Sequence, residues 1–174
     1  GVFIFDTDYS INISELAEEL EQRGYESLLV PEHTHIPTSR RSPFPGGGEL
    51  PKQYSHTLDP FVSLGFAAAA TKSLKIGTGI CLLPQRDPIV TAKSIASLDL
   101  MSNGRFVLGL GGGWNVDEME NHGVTYKTRF SMMKEHVLAM KSLWVDEEAE
   151  FHGEYVNFDK SWAYPKPVQK PYPP

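Results

Sequence analysis

Ser27-Leu28-Leu29-Val30-Pro31-Glu32-His33-Thr34-His35-Ile36-Pro37 is the stretch on which the reading of this chain turns. Ser27 to Val30 has the length and apolar character of a buried strand, and Pro31 stops it. A carboxylate and two imidazoles then follow within four residues, and Pro37 closes the segment. In open α/β sheets and in α/β barrels alike, the carboxyl end of a strand is where ligands bind. Histidine is the side chain whose proton moves most easily near neutral pH, and a neighbouring carboxylate can fix its tautomer.

Working outward, strand and helix signals alternate four times. Residues 1–5 read as a short apolar strand. A helix follows, with Asn12 and Glu15 as a capping box, Ile13, Leu16, Ala17 and Leu20 as its buried stripe, and Gly24 as its stop. The second strand is expected at 26–30. Asp59-Pro60 sets a cap and a first-turn proline ahead of Phe61, Leu64 and Ala68, and Leu74 to Ile80 make the third strand. Asp87-Pro88 repeats the device before a helix to about Leu100. Asn103-Gly104 ends that helix, and Arg105 to Leu110 is the fourth strand. A further helix is expected over roughly 128–145, and a small hairpin over 149–158.

Alternating β and α elements predict a parallel sheet with right-handed crossovers, an α/β fold. Four such units are half of a (β/α)8 barrel. A sheet of four parallel strands alone would leave two unpaired edges. The chain, read as a single domain over 1–174 that looks cut at both ends, is therefore expected to be either the amino-terminal half of a (β/α)8 barrel or an assembly that pairs the exposed edges. Loops at the amino ends of strands are brief, whereas those at the carboxyl ends are long. The longest, over 31–58, is expected to be a lid or insertion.

Composition narrows the function classes. The 174 residues are 40% hydrophobic, enough for one core, and the net charge is −6 with no basic block. Neither nucleic acid nor membrane is expected as a partner. The single cysteine, Cys81, rules out an intrachain disulfide framework and fits a cytoplasmic protein. The expected partners are a small-molecule substrate and a second copy of the chain.

Three constellations carry chemistry. Glu32, His33 and His35 admit a capped strand end with a buried histidine, a metal site, or a general acid/base with Glu32 orienting the imidazole. The metal reading lacks third and fourth ligands, since His56 and His122 lie in long loops. Gly77-Thr78-Gly79-Ile80-Cys81 ends a buried strand on two glycines, which suit either a barrel bulge or backbone approach to something flat. Gly109-Leu110-Gly111-Gly112-Gly113-Trp114 is not a dinucleotide fingerprint, because Trp114 occupies the last glycine position. It could still let a ligand lie on bare backbone, walled by Trp114. Asp117, Glu118 and Glu120 read as a solvated helical turn. Arg40 and Arg41 read as an exposed pair or a grip on an anionic substrate.

These motifs, with Ser97-Leu-Asp-Leu-Met-Ser-Asn-Gly-Arg-Phe106, Glu118-Met-Glu-Asn-His-Gly123 and Trp162-Ala-Tyr-Pro-Lys-Pro167, resemble the bacterial luciferase-like monooxygenase superfamily. Within it, they are most similar to the coenzyme F-420-dependent oxidoreductases. The resemblance implies a TIM barrel that binds a flavin or deazaflavin at the carboxyl ends of its strands. It implies a bulge with a non-prolyl cis peptide at Gly79-Ile80 or the next bond. Cofactor contacts would then fall to Gly79, Ile80, Cys81, Gly111, Gly112, Gly113 and Trp114. His33 would be the general acid/base, Glu32 its orienter, and His35, Arg40 and Arg41 the substrate or lid side. The implied activity is hydride transfer between coenzyme F-420 and a small organic substrate, with FMN-dependent monooxygenation as the alternative. Trp114 stands where sugar-phosphate dehydrogenases of this superfamily carry a catalytic glutamate. A metal-dependent hydrolase on Glu32, His33 and His35 and a non-catalytic half-barrel that binds flavin complete the alternatives.

Overall fold

The computed structural model describes residues 1–174. Four parallel strands, β1 (Val2–Phe3), β2 (Ser27–Val30), β3 (Lys75–Leu82) and β4 (Phe106–Gly111), pair in chain order. The crossovers carry α1 (Ile13–Gln22), α2 (Pro60–Ala70) and α3 (Pro88–Met101). After β4 come a short α4 (Val116–Asn121), a long α5 (Arg129–Val145) and an antiparallel hairpin of β5 (Ala149–His152) and β6 (Asn157–Ser161). The parallel order is as the alternation predicts, and the four strands are half of an eight-stranded barrel, as the resemblance implies. No helix is long and apolar enough to cross a membrane.

The helix starts follow from their caps. Asn12 accepts the Ser14 amide, Asp59 those of Phe61 and Val62, and Asp87 that of Val90. Each cap satisfies donors that the first turn leaves orphaned. At the other end of α2, the Arg105 guanidinium donates to the carbonyls of Ala68, Thr71, Leu74 and Ser102 and to the Thr71 hydroxyl at 2.7–3.1 Å. Asn103 and Gly104 turn the chain into β4 at φ 56° and 77°.

Strand alternation sorts the two faces. Leu28, Val30, Ile76 and Phe106 belong to the 20-residue core between sheet and helices. The opposite face would point into a closed barrel. There Phe3 is 52% and Ile80 40% exposed. The first strand is shorter than the expected 1–5, because Ile4 makes one more bond to Leu29 and the chain then folds into a turn closed by Ser10 on Asp6 and Thr7. The third strand runs past the expected Ile80 to Leu82. A bulge between Thr78 and Cys81 shifts its register on β4 and lets pairing resume at Cys81–Leu110.

Two carboxylates organise the carboxyl-terminal part. Glu135 on α5 accepts the amides of Glu154, Tyr155 and Val156, which fixes the hairpin turn. Asp99, fully buried on α3, accepts the Val168 and Gln169 amides and the Gln169 side chain. The tail so anchored reaches the outer edge of β4, where the Leu108 amide donates to the Pro174 carbonyl at 2.8 Å.

Candidate functional site

Adjacent residues of an extended segment point to opposite sides. Glu32 and His33 therefore part company as the chain leaves β2. Glu32 turns toward β3: its buried carboxylate accepts the Leu82 amide at 2.7 Å and Arg86 Nε at 2.5 Å. Arg86 also donates to Asp59, the cap of α2, and stacks 4.7 Å from the centroid of Phe61. Glu32 thus braces the ends of β2, β3 and α2. It does not orient His33, contrary to the sequence expectation.

That role falls to Glu118, which the sequence reading placed on a solvated turn. Glu118 is fully buried, and one carboxylate oxygen accepts His33 Nδ1–H at 2.8 Å. The other accepts the Thr34 amide at 3.1 Å. Asn115 caps α4 and puts Glu118 in its first turn, where the helix end favours a negative charge. The Asn115-x-x-Glu118 spacing is a capping-box pattern that the sequence reading passed over. Here the glutamate reaches across to β2 instead of back to its own cap.

An aromatic wall surrounds the imidazole. Ring centroids of Tyr54 and Trp114 lie 5.3 and 5.9 Å from that of His33, and Phe44 packs on both at 5.2 and 6.2 Å. Phe44 and Tyr54 come from the long loop and carry no motif, so they were missed. With Nδ1 held by Glu118, Nε2 is the ring nitrogen without a protein partner.

The glycine motifs resolve into packing solutions. The Gly79–Ile80 peptide is cis. A Cβ at Gly109 would clash with the Thr78 carbonyl, and one at Gly111 with Ile80 Cδ1. These glycines let β4 close on the bulge and leave Ile80 exposed at the strand end. The Cβ sides of Gly112 and Gly113 are filled by the protein's own Phe130 and Met119. Neither position therefore has room for a side chain without a shift of these neighbours. Cys81 is also corrected: its thiol is fully buried, and burial, with Glu32 next in effect, holds it well above the usual thiol range. Gly79, Ile80 and Trp114 remain as surfaces that a flat ring could meet.

The other predicted residues scatter. His35 bonds Thr34 and Asn121 at the end of α4, where His122 joins the same Thr34 hydroxyl. Arg41 pairs with Asp117 and Glu120 while its side chain stays 62% exposed. Its pairing pushes the guanidinium pKa up, chiefly through Glu120. Arg40 keeps one guanidinium nitrogen buried and unbonded. Glu32, His33 and His35 face three different partners, and no three His, Cys, Asp or Glu side chains converge on a metal position.

The model of the luciferase-like monooxygenase family matches residues 8–174. The uncharacterized protein Rv0953c of Mycobacterium tuberculosis is 46% identical over 99% of this chain and 62% of its own length. An F420-dependent glucose-6-phosphate dehydrogenase of Kineococcus radiotolerans is 28% identical over 90% of this chain and 44% of its own. The monooxygenase RslO1 from Streptomyces bottropensis shares the fold, with a TM-score of 0.84 at 24% identity over 99% of this chain and 51% of that one. The chain thus spans 44% to 62% of the length of these relatives.

Proposed function

Since the chain belongs to the luciferase-like monooxygenase family, we propose that it forms the proton-relay half of an oxidoreductase barrel that uses coenzyme F-420. The observation that carries this reading is the buried His33–Glu118 pair at the carboxyl end of β2. The exposed Ile80 shelf and the Trp114 face are the residues that would hold a flat tricyclic ring. When bound, such a ring supplies the hydride chemistry.

The protein's own residues supply position and a proton. Glu118 fixes the tautomer with Nδ1 protonated, so Nε2 is the atom that takes or returns the proton of a substrate hydroxyl or carbonyl. The carboxylate also stabilises the imidazolium while it is charged. Phe44, Tyr54 and Trp114 keep water off the ring. Similarity to an F420-dependent dehydrogenase along most of the chain supports the choice of F-420.

The test is titration of full-length protein with F-420 and with FMN, followed by turnover of the loaded enzyme. His33→Ala should lower kcat by about 10²–10⁴-fold, the usual worth of a general acid/base, and leave cofactor affinity within about threefold. Equal losses in both would remove the relay. Tight FMN binding with none of F-420 would move the protein to the oxygen-using branch.

A further inference from the structure

Helix α2 is apolar on every side, yet only one side of it is buried. Its 11 residues, Pro60–Ala70, include no charged side chain and a single hydroxyl, that of Ser63. A helix that is apolar all round belongs in an interior. Leu64, Ala67 and Ala68 do lie in the core, whereas Val62 and Phe66 on the opposite side face solvent. The adjoining α3 continues that surface through Val90 and Met101, and these four residues are 61–81% exposed. The charged side chains of α3 are Lys93, which donates to the Tyr164 carbonyl, and Asp99, which is fully buried.

Gly65 is a second, independent sign. Glycine inside a helix destabilises it relative to alanine. A Cβ at Gly65 would meet nothing within 4 Å, so packing within the chain gives no reason for it. Gly65 and Ala69 on α2, with Ser94 and Ser97 on α3, are the small residues of this surface. Short side chains there let another helix come close.

The remainder of a barrel does not reach this face. Added strands pair at the free edges of β1 and β4, and their helices follow them round the outside. α2 lies between α1 and α3, and α3 between α2 and α5, so both are interior to the helix layer. A second copy of the chain suits the face. In a two-fold dimer one patch meets itself, and a charge-free patch sets no like charges opposite each other in chains that each carry −6. Ile11 and Leu58, half-exposed, share a groove with Val62 and Phe66. At roughly 150–200 Å² for a fully exposed residue of this size, these six leave on the order of 600 Å² open, and the small residues between them bring the face near the ~800 Å² per partner of a standard interface.

We propose that α2 and α3 form a two-fold dimer face, covered by the same two helices of a second copy. Cofactor chemistry plays no part in it.

Sedimentation equilibrium of the full-length protein over a range of concentrations should give the mass of two chains. Phe66→Glu and Met101→Glu, both at exposed positions, should each weaken self-association about 100-fold, because each buries a carboxylate near its own mate. Gly65→Leu should weaken it about tenfold or more by filling the space a partner helix needs. Far-UV circular dichroism checks that each variant is folded. If the glutamate variants unfold, Ala69→Cys carries the test. Cys81 is buried, so maleimide reads the new thiol, which should react much more slowly than an exposed control, Lys127→Cys. A monomer at every concentration would overturn the dimer. So would self-association that the folded variants leave intact, or an Ala69→Cys thiol as reactive as the control.

Discussion

His33 and Glu118 show how a single residue pair decides what the strand end can do. Glu118→Gln keeps the shape but cannot stabilise an imidazolium. It should lower kcat while leaving the thermal midpoint and KM nearly unchanged, whereas a purely structural role would lower the thermal midpoint as well. Gly112 is a second residue-scale case. Replacing it with valine should cost about 1–3 kcal/mol through overpacking against Phe130. Urea denaturation would measure this, and wild-type stability in the variant would show that Phe130 moves aside at little cost. Much of this scale was illegible in the sequence. The adjacency of Glu32 and His33 suggests a pair, but the strand sends their side chains in opposite directions. The true partner lies 85 residues away, a distance that local spacing does not encode.

At the scale of elements, legibility was higher. Asp59-Pro60 and Asp87-Pro88 read directly as helix starts, because their chemistry is local: a carboxylate for the first amides and a ring that needs no donor. The β3 bulge was legible only as glycines, since its register is set by β4. The connection between α1 and β3 offers a clean electrostatic test. Glu21 on α1 accepts the amides of Lys72, Ser73 and Leu74 and the Ser73 hydroxyl. These donors, the Ser73 amide first, lower its pKa to about 2 from 4.5. A depressed carboxylate stabilises the fold above its unfolded pKa and ceases to do so as pH falls toward the folded one. Stability at this junction should therefore decline between about pH 4.5 and about 2. Glu21→Gln should flatten that part of the thermal-midpoint profile, and an unchanged slope would exclude the contribution.

For the molecule as a whole, the alternation of four βα units was enough to predict a parallel sheet in chain order, because crossover hand follows from chirality, while its being half a barrel came from the family resemblance. The unfilled inner face, with Phe3 and Ile80 open, was implied by the count of units but not by any residue. The loop over 31–58 is more than a tolerated insertion. Asp117 accepts the Ser39 hydroxyl and the Arg41 amide, and Ser42 in turn accepts the Val116 amide. Loop and α4 are stitched into one body. Asp117→Ala should speed hydrogen exchange at Arg41 and its neighbours and leave β2 and β3 protected. Uniform exchange across the chain would refute such local docking.

The separation of His33 from Glu118 also sets when this site comes into being. Joining groups 85 residues apart carries a closure entropy of about 4 kcal/mol. β3, α3 and β4 must first be laid down to offset it. The His33–Glu118 contact is thus expected to form late in refolding. A probe on the imidazole would time the docking of α4, while the capped helices would already report as formed.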